Sequence, residues 1–294
     1  MFVARAAALR SGDLSRQVGA VIVDSCKSIV ATGCNEVPYP GGGIFYEGRS
    51  GGIPDNRDYT KGHDPNWIEI QRSLIELIGV LKDAGHISST DESSAIAEGL
   101  LYGKYKELMS NARVRNLIEF GRVVHAEMHA LSQAASVGRS VRGATLYCTT
   151  FPCHGCARHI ISSGIAEVVF IEPYPKSLTQ QLYGGEIEIS HEPLDDGPHP
   201  VGARVRFRPF HGVAPGLYQR VFSYRDRKDE YGTIATWEPR LASPVGAIFG
   251  VERPSVETAA SSALAAVLEP AKASFAAKNG EATDAEAITL GPGS

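Results

Sequence analysis

Two short motifs restrict this chain more than its length does: His125-Ala126-Glu127, and Pro152-Cys153-His154-Gly155-Cys156, with 24 residues between Glu127 and Pro152. Around them the pattern is regular, predicting a helix over Val123 to Val137, a strand over Ala144 to Thr149, a helix over Cys156 to Ser163 and a strand over Glu167 to Ile171. Gly138 and Gly164 fall where helix ends take a left-handed residue. Strands alternating with helices imply a layered α/β fold. Upstream, Phe2 to Leu9 reads as a helix, and the β-branched runs Val18 to Asp24 and Ile29 to Gly33 read as a hairpin. Residues 35 to 66 form a Gly- and Pro-rich excursion, long enough to be functional or disordered. Helical periodicity returns at Trp67 to Lys82 and, less clearly, between Asp91 and Leu117. Short strands are expected at Glu186 to Ser190 and Arg204 to Pro209, and one helix at Val256 to Leu268 in a tail rich in Ala, Ser and Glu. The terminal Gly-Pro-Gly-Ser is set aside as a cloning remnant.

A chain of 294 residues with 43% hydrophobic residues can bury a good core. Its formal charge of -4 gives no global attraction to a phosphate polymer, so no polynucleotide partner is expected and any phosphate contact is local. No apolar run is long enough to span a bilayer and no secretory signal opens the chain, so no membrane partner and a cytoplasmic location are expected. Of the five cysteines only Cys153 and Cys156 stand at metal-ligand spacing. That usage fits a reducing compartment and one metal site rather than a disulfide framework. Cys26 and Cys34 lack a histidine or carboxylate set and read as inert thiols.

Two cysteines three apart at a helix start can aim both sulfurs at one ion, and the helix dipole favours their thiolates. His125 supplies a third ligand, and three protein ligands leave the fourth tetrahedral position for water, the mark of a catalytic zinc site. On a helix Glu127 would point about 200° away from His125. It is therefore expected to act beside the metal as the proton carrier, taking a proton from bound water and returning it to the reacting group. A closed folding site would need a fourth side chain, for which His154 and His159 are nearest; both are expected to stay outside. His129 shares the helical face of His125 and is expected to be packed or solvated.

His-x-Glu followed by Pro-Cys-x-x-Cys is the arrangement of zinc nucleobase deaminases. Together with Ser11-x-Asp13-x-Ser15-Arg16-Gln17-Val18-Gly19-Ala20 and Gly33-Cys34-Asn35, it resembles the deoxycytidylate deaminases over residues 3 to 175. Further segments resemble the deaminase domain of bacterial anti-phage dCTP deaminases: Asn35-Glu36-Val37-Pro38, Gly41 to Gly43, Arg57-Asp58, Gly62-x-Asp64-x-Asn66, Thr149 to His154, Glu172 to Ser177, and Phe207-x-Pro209-Phe210 through Tyr218. The resemblance implies a cytidine-deaminase-like three-layer α/β/α fold with a mixed five-stranded sheet. It implies one catalytic Zn2+ and release of ammonia from dCTP or dCMP, with the nucleotide pool depleted during phage infection. It also implies a homo-oligomer, hexameric in many relatives. The deaminase domain is expected over 1–252, with an insertion over about 36–120 and a C-terminal extension over about 178–252; 253–294 is expected to be a disordered tail. No Gly-x-x-x-x-Gly-Lys-Ser/Thr pattern occurs, so the chain is either a lone deaminase or works with a regulatory kinase-like half elsewhere.

The resemblance assigns Asn35 to the sugar and Thr150, Phe151 and Pro152 to the base pocket. Arg16, Arg57, Lys61 and Lys176 are candidates for phosphate, and Tyr174 for ribose or base. Two rivals stay open: a tRNA or single-stranded DNA base deaminase, and a noncatalytic nucleotide-sensing zinc protein. The first would need a basic track. The second has no use for Glu127.

Overall fold

The computed structural model describes residues 1–49, 52–110, 112–190, 203–222, 258 and 261–262. Met1–Gln219 forms one compact unit and Arg220–Ser294 a second. The expected helix at Val256 to Leu268 and the tail lie almost wholly outside the described residues.

The β-branched runs pair as predicted: β1 (Gly19–Val23) and β2 (Ile29–Cys34) form an antiparallel hairpin closed by a turn at Asp24 to Ser28, with Lys27 left-handed at φ 65. β3 (Thr145–Thr150) joins β1 antiparallel, and β4 (Glu167–Glu172) joins β3 parallel. Downstream, β5 (Ile187–Ile189) and β6 (Val205–Pro209) are both present, with β6 parallel to β4 and β5 parallel to β6. The mixed sheet therefore has six strands, in the order β2-β1-β3-β4-β6-β5, not the five expected. The extra strand is the three-residue β5, whose buried Ile187 gives an added edge strand an apolar hold.

Two glycines fix the layers. Gly19 lies opposite Cys34 and Ala20 opposite Gly33, so the two glycines sit on successive rungs and face opposite sides of the sheet. A methyl group on Gly19 would come within 1.9 Å of the Ala4 carbonyl oxygen in α1 (Phe2–Ala8), and one on Gly33 within 2.1 Å of the Ala126 carbonyl oxygen. Helix α1 and the helix beginning at Ala126 thus pack on opposite faces, giving the three-layer α/β/α arrangement. On the face of the motif helix, Ile22, Leu146, Val168 and Phe207 form one core cluster with Ala126, Ala130 and Ile160, all fully buried. Gly33→Ala forces the motif helix off the sheet, and we expect a loss of about 3 kcal/mol in chemical denaturation, at the upper end of overpacking penalties.

The segment after β2 turns helical from Asp58, with the helix predicted over Trp67 to Lys82 present. Here lie α2 (Asp58–Lys61), α3 (Pro65–Asp83) and α4 (Ser93–Leu101), then a 3-10 turn at Arg113–Asn116. Leu74, Ile78, Ala97 and Leu101 give α3 and α4 a small core of their own. Asp64 caps α3 by accepting from the Asn66 N–H at 2.9 Å. Then come α5 (Ala126–Ser136), α6 (His154–Ser162), α7 (Thr179–Tyr183) and α8 (Pro215–Phe222). No helix among the described residues is long and apolar enough to cross a membrane.

Candidate metal and substrate site

Both motifs occupy helix starts on the side of the sheet where β2 and β3 end. His125 was expected on a helix; it is instead the residue before α5, extended at φ -66 and ψ 154. The reason is a long-range backbone pairing that helical periodicity cannot register. The Val124 N–H donates to the Glu36 carbonyl at 3.0 Å and the Glu36 N–H to the Val124 carbonyl at 3.2 Å, which holds the chain straight up to the imidazole. The angular argument for Glu127 therefore fails, yet its consequence stands, because an extended residue and the first turn of a helix also present their side chains separately. Cys153 is likewise the residue before its helix, and its Sγ accepts from the Cys156 N–H at 3.4 Å.

The His125 Nδ1 lies 3.3 Å from the Cys153 Sγ and 3.4 Å from the Cys156 Sγ. A tetrahedral zinc with bonds of about 2.0 Å to nitrogen and 2.3 Å to sulfur needs N···S edges of about 3.5 Å. The residues therefore fit the ion, and His125, Cys153 and Cys156 form a candidate zinc site with ligand atoms all within 4.8 Å of one another. Among the described residues His154 and His159 stay outside that group, and so do Cys26 and Cys34. The Cys153 thiol is pulled down, first by a hydrogen bond from the Cys156 thiol, while the Cys156 thiol is pushed up by giving that bond and by burial. His125 is raised to about 9, first through its hydrogen bond with Cys153.

Glu127, in the first turn of α5, is only 4% exposed, and its carboxylate lies 3.5 Å from the Cys156 Sγ. Burial raises its pKa, with the nearby His125 opposing. A carboxyl so placed takes and returns a proton near neutral pH more readily than an exposed one. His129 does not join His125; its Nδ1 faces the Cys34 backbone at 3.1 to 3.2 Å, and burial lowers its pKa.

A cavity of about 180 Å³ opens beside His125, Glu127 and Cys153. Of the residues assigned to substrate, Arg16, Asn35, Thr150, Phe151 and Tyr174 line it. Asn35 is largely committed to the chain itself, since its Oδ1 accepts from the Val18 N–H at 2.7 Å and its Nδ2 donates to the Arg16 carbonyl at 2.9 Å. The Arg16 guanidinium lies over the Tyr174 ring at 5.1 Å, and the Phe151 ring packs edge-on against Phe170 at 4.9 Å. Pro152 is buried next to the cavity, its carbonyl accepting from the Ser177 and Thr179 hydroxyls.

The remaining three candidates are placed elsewhere. Arg57 is buried and bonded to Asp55 at 2.6 Å and Glu47 at 3.1 Å. Lys61 ends α2 as an exposed side chain, and Lys176 donates to the Asn116 Oδ1 at 2.7 Å. Asp13, Ser15, Val18 and Ile118 also line the cavity and were not singled out as substrate contacts. The signal was present for the first three, which fall in the Ser11 to Ala20 segment that carried the resemblance.

Residues 1–172 match the model of the cytidine and deoxycytidylate deaminase zinc-binding region. Deoxycytidylate deaminase of Enterobacteria phage T2 is 46% identical over 54 residues, 18% of this chain and 29% of that protein. The deoxycytidylate deaminase of Homo sapiens is 43% identical over 49 residues, 17% of this chain and 26% of that one. The match thus spans less than a third of either relative's length. Among solved structures, dCMP deaminase from the cyanophage S-TIM5 aligns with a TM-score of 0.34 and 18% identity, covering 71% of this chain and 91% of that one.

Proposed function

We propose that this chain, which belongs to the cytidine and deoxycytidylate deaminase zinc-binding family, hydrolyses the exocyclic amine of a free cytosine deoxynucleotide, dCTP or dCMP, to give the uracil nucleotide and ammonia. The observation that carries this reading is the buried Glu127 carboxylate, set beside the His125, Cys153 and Cys156 group at the edge of a small cavity. A zinc ion held by those three side chains would lower the pKa of water to about 7.

In this reading, Glu127 takes a proton from the attacking water and passes it to the pyrimidine N3, then takes the remaining proton from the new C4 hydroxyl and hands it to the amine as the C4-N bond breaks and the C4 carbonyl forms. Its burial keeps the proton available for both transfers. Thr150 and Phe151 border the base, and Tyr174 with Arg16 closes the outer side of the cavity, where the Arg16 charge suits a phosphate. Asn35 shapes the wall more than it reaches for ligand, because both ends of its amide are already bonded within the chain. The domain performing this reaction is taken as residues 1–252, with the family match, β5 and β6 in support. The setting is taken as cytoplasmic, and the sequence resemblance favours a homo-oligomer that depletes the nucleotide pool during phage infection.

Ammonia release measured across dCTP, dCMP, CTP, cytidine, deoxycytidine and a cytosine-containing oligonucleotide tests the proposal. Turnover of a free deoxynucleotide, with the oligonucleotide inert, is the expected result. Turnover of the oligonucleotide alone would place the chain among the polynucleotide deaminases.

A further inference from the structure

We propose that Glu36 is a positioning residue for the nucleotide cavity, a buried carboxylate that sets the distance between one wall and the metal ligands. The inference rests on the deaminase reading above and concerns how its site is held in shape.

Glu36 is 1% exposed, which is rare for a carboxylate, and an apolar side chain could fill the same space without the desolvation penalty. Its geometry accounts for the choice. The Oε2 accepts from the Gly12 N–H at 2.8 Å and the Oε1 from the Val37 N–H at 2.8 Å. Gly12 begins the segment that carries Asp13, Ser15, Arg16 and Val18 into the cavity wall. That segment is internally tied, with the Asp13 Oδ1 accepting from the Ser15 N–H at 2.7 Å and the Gln17 Nε2 donating to the Ser11 carbonyl at 2.9 Å. It therefore moves as a piece, and whatever fixes Gly12 fixes Arg16. Asn35 grips the far end at Arg16 and Val18, so two consecutive residues at the exit of β2 hold both ends of the wall. Glu36 also pairs backbone-to-backbone with Val124, the neighbour of His125. One residue thus references the wall to the metal-binding end of α5.

Glu36→Gln preserves volume, but its amide nitrogen must face either the Gly12 or the Val37 N–H, leaving one donor unpaired. Gly12→Ala attacks the link from the other side, since its methyl group would sit 3.0 Å from the Glu36 Oε2. Both are to be compared with the wild-type full chain, zinc-loaded, in steady-state deamination of dCMP and dCTP. We expect KM for the better nucleotide to rise about tenfold, equivalent to about 1.4 kcal/mol, with kcat per bound zinc held within about twofold and zinc content unchanged. A lowered melting temperature with unchanged KM, or a fall in kcat alone, would overturn the role. If Glu36→Gln does not fold, Gly12→Ala decides by the same split. A wild-type chain releasing no ammonia from either nucleotide refutes the deaminase reading and this inference together, whereas an active wild type with unmoved variants refutes only the inference.

Discussion

Glu127→Gln is expected to lower kcat for the preferred deoxynucleotide by about a hundredfold to ten-thousandfold, the range that a positioned general acid and base contributes, while zinc stays bound. The substitution keeps the shape of the side chain and removes its capacity to carry a proton. Zinc retention follows because the candidate metal group is made by His125, Cys153 and Cys156, without Glu127. The fold should tolerate the change, since a neutral amide replaces a carboxyl that burial already pushes toward its neutral form. Metal analysis, a melting curve and an ammonia assay on the same preparation separate the effects. Turnover within tenfold of wild type, with zinc present, would remove Glu127 from the mechanism. A noncatalytic nucleotide sensor would show no turnover in the wild type for the substitution to abolish.

The metal group was legible because its signal is local: two cysteines at one helix start, a histidine and a carboxylate at another, with a strand between. The sheet was legible in its central part for the same reason, since each of β1 to β4 is a β-branched or apolar run bounded by turns. What escaped is what depends on distant pairing. His125 leaves the helix because Glu36, far back in the chain, pairs with Val124. Arg57 carried the right charge and stood in a matching segment, yet Asp55, two residues away, takes up its guanidinium. Such commitments are set by loop geometry, and a list of cationic residues does not register them. The two downstream strands were legible as short runs, β5 inside Glu186 to Ser190 and β6 inside Arg204 to Pro209; the count of five came from the resemblance, not from these runs. Glu36 stood in the matching segment Asn35-Glu36-Val37-Pro38, but its burial did not show there, since a lone glutamate after a strand is ordinarily a solvated turn residue.

Removing zinc with a chelator is expected to abolish deamination and to lower the melting temperature by roughly 8 to 16 °C. The ligands come from the starts of α5 and α6, so the ion ties together two segments that are distant in sequence. An ion bound a thousandfold above its dissociation constant stabilises the folded chain by about 4 kcal/mol, and each kcal/mol moves the midpoint of a domain of this size by about 2 to 4 °C. Returning zinc should restore both activity and midpoint, whereas Cys156→Ala should lose both and recover neither. Acid should act in the same direction as the chelator. A ligating imidazole must be neutral, and the Cys153 thiolate raises the His125 pKa to about 9, so protons compete for Nδ1 increasingly as the pH falls below that value. Zinc occupancy measured against pH in a competing chelator should therefore fall monotonically from pH 9 to pH 5. An occupancy independent of pH over that range would mean that His125 does not hold the metal.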